Sequence, residues 1–282
     1  LSLACEYDKI EEYENQYLQI SRDDRKGIVN YYGTLVLPCR FEKIELSNNF
    51  FWVSSEGLYG IYNRYGSTII PCRYNQIELT DRCFYVCRDR LKGVYNRYGS
   101  VIIPCQFSQI ECKDNAYYVT KGKYQGIYNL YGSVIVPTQY TSIYKEGGKY
   151  LVENDSLKGI VNAYGSTIIP CRYNKIQQEG NIYYVTANGK KGIFNRYGST
   201  IIPCQYDEII SLGHRYIVKR DKKFGVYNQY GSTILPCQFQ KIECLNNGHY
   251  VTTRDKSQQV YNAYGALLEN RTNMKVVFST ED

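Results

Sequence analysis

The sequence predicts an all-β chain of eight tandem units of about 33 residues each. Three observations lead there. The dipeptide Tyr-Gly recurs with its glycine at Gly33, Gly66, Gly99, Gly132, Gly165, Gly198, Gly231 and Gly265, at six intervals of 33 residues and a last of 34. An asparagine stands two residues before each of those tyrosines, from Asn30 to Asn262. All seven prolines, from Pro38 to Pro236, occupy one slot of the same period.

Each recurring residue has a physical reason to recur. In Asn-x-Tyr-Gly the asparagine side chain can accept a backbone N–H two residues on, and the glycine can take the left-handed conformation that closes a type I turn with a G1 bulge. Gly60-Ile61-Tyr62-Asn63 and Ser67-Thr68-Ile69-Ile70 therefore read as paired strands, with Pro71 expected to end the ladder because it has no N–H to donate. A second hairpin precedes the first, as in Tyr184-Val185-Thr186, the turn Asn188-Gly189, and Gly192-Ile193-Phe194. The unit is then a meander of three or four strands. Its inner strands are apolar on both faces, so neighbouring units must cover each small sheet.

The first repeat element, Cys5-Glu6-Tyr7-Asp8-Lys9-Ile10, is the back half of a unit, and the last, residues 259–268, is the front half. Together they make one whole unit. That predicts a single repeat domain over residues 1–282, arranged as a closed eight-bladed β-propeller with one blade shared by the two termini, which would leave no edge strand unpaired. An open β-solenoid is the alternative, with residues 274–278 filling the slot of residues 240–244.

Gly60-Ile61-Tyr62-Asn63-Arg64-Tyr65-Gly66-Ser67-Thr68-Ile69-Ile70-Pro71-Cys72-Arg73-Tyr74-Asn75-Gln76-Ile77 resembles the bacterial WG repeat: Gly-hydrophobic, a Gly turn, a short apolar strand, Pro, an aromatic and Ile follow in that order. The residue before the first Gly is Lys26, Tyr59, Lys92, Gln125, Lys158, Lys191, Phe224 or Gln258, never the Trp that names the family, and the eighth unit replaces the Gly with Gln259. The resemblance implies a repeat binding module with no catalytic residues to carry over.

Composition narrows the function classes. With 34 Lys plus Arg against 27 Asp plus Glu, the net charge of +7 is a mild bias, and no run of five like charges marks a nucleic-acid binder. No stretch approaches the 18 apolar residues of a membrane-spanning helix. Leu1-Ser2-Leu3-Ala4-Cys5 is similar to the end of a lipoprotein signal, but Cys5 is in register with the repeat cysteine. Seven of the eleven cysteines, Cys5, Cys39, Cys72, Cys105, Cys171, Cys204 and Cys237, copy one position, with Thr138 in the remaining copy. They read as small apolar fillers rather than disulfides or metal ligands, and unpaired thiols favour a cytoplasmic chain over a bacterial surface or secreted one. Cys83, Cys87, Cys112 and Cys244 show no CxxC spacing.

Only two histidines exist, His214 and His249, and no triad or phosphate loop can be assembled, so neither catalysis nor a cofactor is expected. Glu11, Glu45, Glu78, Glu111 and Glu243 follow the repeat Ile and read as strand-end charges that face water. Tyrosine is the compositional outlier, at 32 copies against nine Phe and one Trp. The candidate binding rim consists of Arg64, Arg97 and Arg196 in the turns, Arg40, Arg73 and Arg172 after the cysteine, and the turn tyrosines Tyr65, Tyr98 and Tyr197, with Lys26, Lys92, Lys158 and Lys191 recurring before the Gly. If these positions share one rim, it could meet a glycan or another anionic polymer. The leading expectation is a non-catalytic module that binds another protein through the variable loops after each repeat Ile.

Overall fold

The computed structural model describes residues 6–14, 16–255 and 257–271, with side chains through Glu269. The chain is all-β: eight four-stranded antiparallel sheets follow one another in tandem, each a simple meander. They run over Lys9–Phe41, Lys43–Tyr74, Gln76–Phe107, Gln109–Tyr140, Ser142–Tyr173, Lys175–Tyr206, Glu208–Phe239 and Lys241–Arg271, numbered here as sheets 1 to 8. They fall into two compact units, sheets 1 to 4 up to Tyr140 and sheets 5 to 8 from Thr141.

Every described sheet is made from one continuous stretch, which corrects the expected sharing of a unit between the termini. Lys9 and Ile10 lie in the first strand of sheet 1 and pair with Ser21 and Ile20. Val260 and Tyr261 pair with Val251 and Tyr250 inside sheet 8. The reason is the phase of the repeat. The sheet boundary falls after the aromatic that follows Pro-Cys, so the chain changes sheets there and not at the turn glycine. Cys5 and residues 274–278 lie outside the described residues.

Sheet 2 shows how the sequence makes the unit. Its strands are Lys43–Ser47, Phe50–Ser55, Leu58–Asn63 and Thr68–Tyr74. The fourth strand continues through Pro71, contrary to the expected stop. Tyr59 pairs with Tyr74 and Ile61 with Ile70, so Pro71, Cys72 and Arg73 bulge opposite the single Gly60. A bulged residue needs no ladder partner, and so the missing N–H of proline costs nothing there. A Cβ on Gly60 would lie 2.8 Å from both the Cα and the N of Cys72, which explains why the third strand carries glycine opposite the bulge.

Within each unit, successive sheets cover one another as the two-faced apolar pattern requires. Ile61, Ile70 and Tyr74 of sheet 2 pack with Phe84, Val86 and Tyr95 of sheet 3. Ile160, Ile169 and Tyr173 of sheet 5 pack in the same way with Tyr183, Val185 and Phe194 of sheet 6. An edge-to-face aromatic pair repeats at these junctions, for example Phe41 with Tyr62 at 5.5 Å and Tyr206 with Tyr227 at 5.9 Å between ring centroids.

One residue links each sheet to the next, and it is always polar: Glu42, Asn75, Ser108, Thr141, Asn174, Asp207 and Gln240. The Asn75 N–H donates to the Cys87 carbonyl at 2.8 Å, and the Asp89 N–H donates to Asn75 Oδ1 at 2.8 Å. Asp207 repeats both contacts, with Lys219 O at 2.8 Å and the Asp221 N–H at 3.0 Å. The linker thus ties the end of one sheet to the second hairpin turn of the next. Its signal in the sequence was a polar residue recurring between the aromatic and the Ile.

Candidate binding surface

The Asn-x-Tyr-Gly turn is built identically eight times. Asn30 Oδ1 accepts the Tyr32 N–H at 3.0 Å and the Thr34 N–H at 2.8 Å, while the Asn30 carbonyl accepts the Gly33 N–H at 2.9 Å. The same bonds recur at Asn63, Asn96 and Asn129 in the first unit. They recur again at Asn162, Asn195, Asn228 and Asn262 in the second. Three bonds on a four-residue turn leave the tyrosine one outward direction. All eight turn tyrosines are exposed, from 74% at Tyr197 to 92% at Tyr32 and Tyr164.

The turns stand in register. The backbone carbonyl of Val36 sits 2.1 Å from where a Cβ on Gly66 would be, and Ile69 and Ile102 stand in the same relation to Gly99 and Gly132. In the second unit, Ile168, Ile201 and Ile234 repeat the contact at Gly198, Gly231 and Gly265. Each of these six turns therefore rests on the last strand of the preceding sheet, giving a row of tyrosines along one end of the sheets in each unit. The hairpin after the repeat Ile comes to this same end, because Phe50 pairs with Asn63.

The expected arginine rim divides in two. Arg64, Arg97 and Arg196 lie in the turns with Tyr65, Tyr98 and Tyr197, and the Arg196 guanidinium stacks 4.8 Å from the Tyr197 ring centre. Arg40, Arg73 and Arg172 lie at the other end of the fourth strand, about 20 Å away at the usual strand rise. Lys26, Lys92, Lys158 and Lys191 are at that far end too, paired with Phe41, Phe107, Tyr173 and Tyr206.

The far arginines serve buried hydroxyls. Arg40 Nη2 donates to Tyr62 OH at 2.8 Å, and Arg172 Nε donates to Tyr173 OH at 3.3 Å. Arg73 Nη2 reaches Tyr74 OH and Tyr95 OH at 3.3 and 3.1 Å, and those two hydroxyls lie 2.7 Å apart.

Burial, with the Tyr95 hydroxyl adding to it, pushes Tyr74 up to about 12. Burial and the Tyr227 hydroxyl likewise push Tyr206 to about 12. An unfolded tyrosine titrates near 10. The stabilisation from holding these hydroxyls neutral is therefore complete below about pH 10 and is lost as pH rises from there through about 12. Stability measured by urea unfolding at stepped pH should fall across that window. A Tyr74→Phe/Tyr206→Phe variant should show a shallower fall, and an unchanged slope would contradict this assignment.

Among the described residues the repeat cysteines, Cys39 to Cys237, are free thiols. Cys72, Cys105, Cys171, Cys204 and Cys237 each donate to a carbonyl 14 residues back, at 3.0 to 3.1 Å. Burial raises the pKa of each, which suits packing rather than reactivity. Thr138 takes this position in sheet 4, and its buried Oγ1 has no hydrogen-bond partner. Thr138→Cys should therefore stabilise the protein by about 1 kcal/mol, read as a higher urea midpoint.

The remaining candidates are ordinary surface. His214 Nδ1 lies 2.8 Å from Gln229 Oε1, and the His249 N–H donates to Asn247 Oδ1. Glu78 lines a 340 Å³ cavity with Gln76, Tyr85 and Lys92. Among the described residues no cluster of three or more His, Cys, Asp or Glu could hold a metal ion. No described helix is long and apolar enough to cross a membrane.

Two open clefts lie between neighbouring turns of the first unit. One, of 530 Å³, runs between Tyr32 and Tyr65 over Leu35 and Val36, with Arg64 at its wall. The other, of 480 Å³, runs between Tyr98 and Tyr131 over Val101 and Ile102, with Arg82 and Arg97.

A turn, a bulge against glycine and a further strand pair, repeated in this order, can be compared with known proteins. Residues 27–59 match the family model for the WG containing repeat. The matched stretch is one full period, from the glycine opposite the bulge to Tyr59, and the same turn and bulge geometry recurs along the chain. No curated protein is significantly similar to the chain. Among solved structures it is similar to a eukaryotic initiation factor, at 9% identity and a TM-score of 0.25, over 94% of this chain and 87% of that one. It is also similar to Kluyveromyces lactis Hsv2, at 11% identity and a TM-score of 0.24, over 82% and 96% of the two chains. The dihydro-heme d1 dehydrogenase NirN matches at 10% identity and a TM-score of 0.23, over 93% and 72%. Likeness at this level carries no argument about ligand or activity.

Proposed function

We propose that the chain is a non-catalytic binding module that engages a protein partner through the row of turn tyrosines. The observation that carries this reading is the uniform presentation of eight exposed tyrosines on hydrogen-bonded turns. A regular array of exposed aromatics is a recognition surface rather than a core feature. Tyrosine loses little conformational freedom on binding and offers both an apolar face and a hydroxyl, which is why it is enriched at protein contacts. The variable hairpins after the repeat Ile lie at the same end and can supply specificity. Both histidines contact amide side chains, which neither take nor give up a proton near neutral pH, in keeping with a role other than catalysis.

The anionic-polymer reading has less support, because Arg40, Arg73 and Arg172 bond to tyrosine hydroxyls a strand's length from the turns. The test uses the whole chain as bait in lysate at two salt concentrations, beside a Tyr65→Ser/Tyr98→Ser/Tyr131→Ser variant with an unchanged circular dichroism spectrum. A protein retained at both salts by the parent and lost by the variant is the expected result. Retention by both chains, or recovery only of a polymer that is lost at the higher salt, would overturn the proposal.

A further inference from the structure

We infer that the two clefts of the first unit each take a short acidic peptide segment, an apolar side chain on the floor and its neighbouring carboxylate against the guanidinium. This rests on the tyrosine row being the binding surface. It adds what the partner presents there.

The floor of each cleft is aliphatic. Leu35 and Val101, each 52% exposed, lie beside Val36 and Ile102 between the tyrosine walls. An aliphatic or aromatic peptide side chain set on such a floor removes apolar surface from water and leaves no polar group unpaired. Volumes of 530 and 480 Å³ hold one such side chain with its adjoining backbone.

Charge selects the rest of the ligand. Among the described residues, Arg64 is the charged residue lining the first cleft, and Arg82 and Arg97 outweigh Asp81 in the second, so these linings each contribute one net positive charge. The guanidinium comes from opposite walls in the two. In the first cleft it stands on the turn of the following sheet, Arg64, with Tyr31 on the near turn. In the second, Leu130 takes the place of Arg64, and Arg97 takes the place of Tyr31. Both clefts therefore keep a guanidinium although neither shared position requires one.

The Arg64 side chain has no hydrogen bond or ion pair among the described residues, where only its carbonyl is used, by Tyr17 OH at 3.3 Å. Arg97 lies 5.7 Å from the Phe50 ring centre and makes one long contact of 3.5 Å to the Asp81 carbonyl. Five N–H donors on each side chain are thus largely unspent, and a carboxylate is the group that fits them two at a time. The clefts lie on one row with a single sheet junction between them, so a segment with two such motifs gains by binding both.

The experiment pans a displayed library of short random peptides against the intact protein and measures an enriched peptide by fluorescence anisotropy. Enriched sequences should pair Asp or Glu with a large apolar residue. An Arg64→Gln/Arg97→Gln variant with an unchanged melting temperature should bind the peptide at least about tenfold more weakly, a loss of about 1.4 kcal/mol. Peptides without an acidic excess, or with affinity unmoved by the double substitution but lost in the Tyr65→Ser/Tyr98→Ser/Tyr131→Ser variant, would overturn the acidic assignment and leave the tyrosine surface standing. Failure to enrich any peptide, with an acidic polysaccharide such as polygalacturonate retained instead, would overturn both.

Discussion

Gly66→Ala is expected to destabilise the protein by about 2 to 5 kcal/mol, from two costs that coincide at one residue. Its φ of +84° lies in the left-handed region, where a residue with a Cβ costs roughly 1 to 2 kcal/mol. The new Cβ would also meet the Val36 carbonyl oxygen at 2.1 Å, and backbone cannot yield as a side chain would, which adds about 1 to 3 kcal/mol. Two controls separate these costs. Gly57 has φ +71° and nothing within 4 Å of its would-be Cβ, so Gly57→Ala carries only the conformational cost. Gly60 has no positive φ but would collide with Cys72 at 2.8 Å, so Gly60→Ala carries only the steric one. Thermal unfolding should rank the losses as Gly66, then Gly60, then Gly57. A Gly66 variant no worse than Gly57→Ala would mean that the turn does not rest on the neighbouring sheet.

Phe84→Ala should cost about 3 to 5 kcal/mol, the usual penalty for emptying a large core site. Phe84 is fully buried where sheet 3 meets sheet 2, with Phe50 at 5.2 Å and Trp52 at 6.2 Å, both edge to face. Neither neighbouring ring can swing into the space without giving up its own contacts. The same substitution at Tyr98, an exposed turn residue, should change stability by less than about 0.5 kcal/mol. Urea unfolding of the two variants compares a residue that holds sheets together with one proposed to hold a partner. Equal losses would place Tyr98 in the fold and remove it from the binding surface.

The turn tyrosines were legible because everything that orients them is local. Asn30, Tyr32, Gly33 and Thr34 close their own hydrogen bonds within five residues, so the spacing alone specifies the turn and leaves the tyrosine outside. The arginines were not legible in the same way. Arg64 and Arg73 share the repeat period, and a period says nothing about which end of a strand a residue reaches. The Pro71 bulge was hidden for a related reason: its place in the ladder depends on Gly60, eleven residues earlier on the partner strand. The role of the polar linker, Asn75 and its equivalents, was hidden because its bonds go to the next sheet.

What the sequence determined by itself was the all-β class, the count of eight and the eight Asn-x-Tyr-Gly turns, since strand patterning and turn chemistry act over a few residues at a time. Only the tertiary structure decided where one sheet ends and the next begins, that Arg40 and Arg73 bond to buried hydroxyls of the next sheet instead of joining the turns, and that clefts open between neighbouring tyrosines. Those features depend on contacts between sheets, in which residues some twenty to thirty positions apart meet through packing that no local pattern encodes.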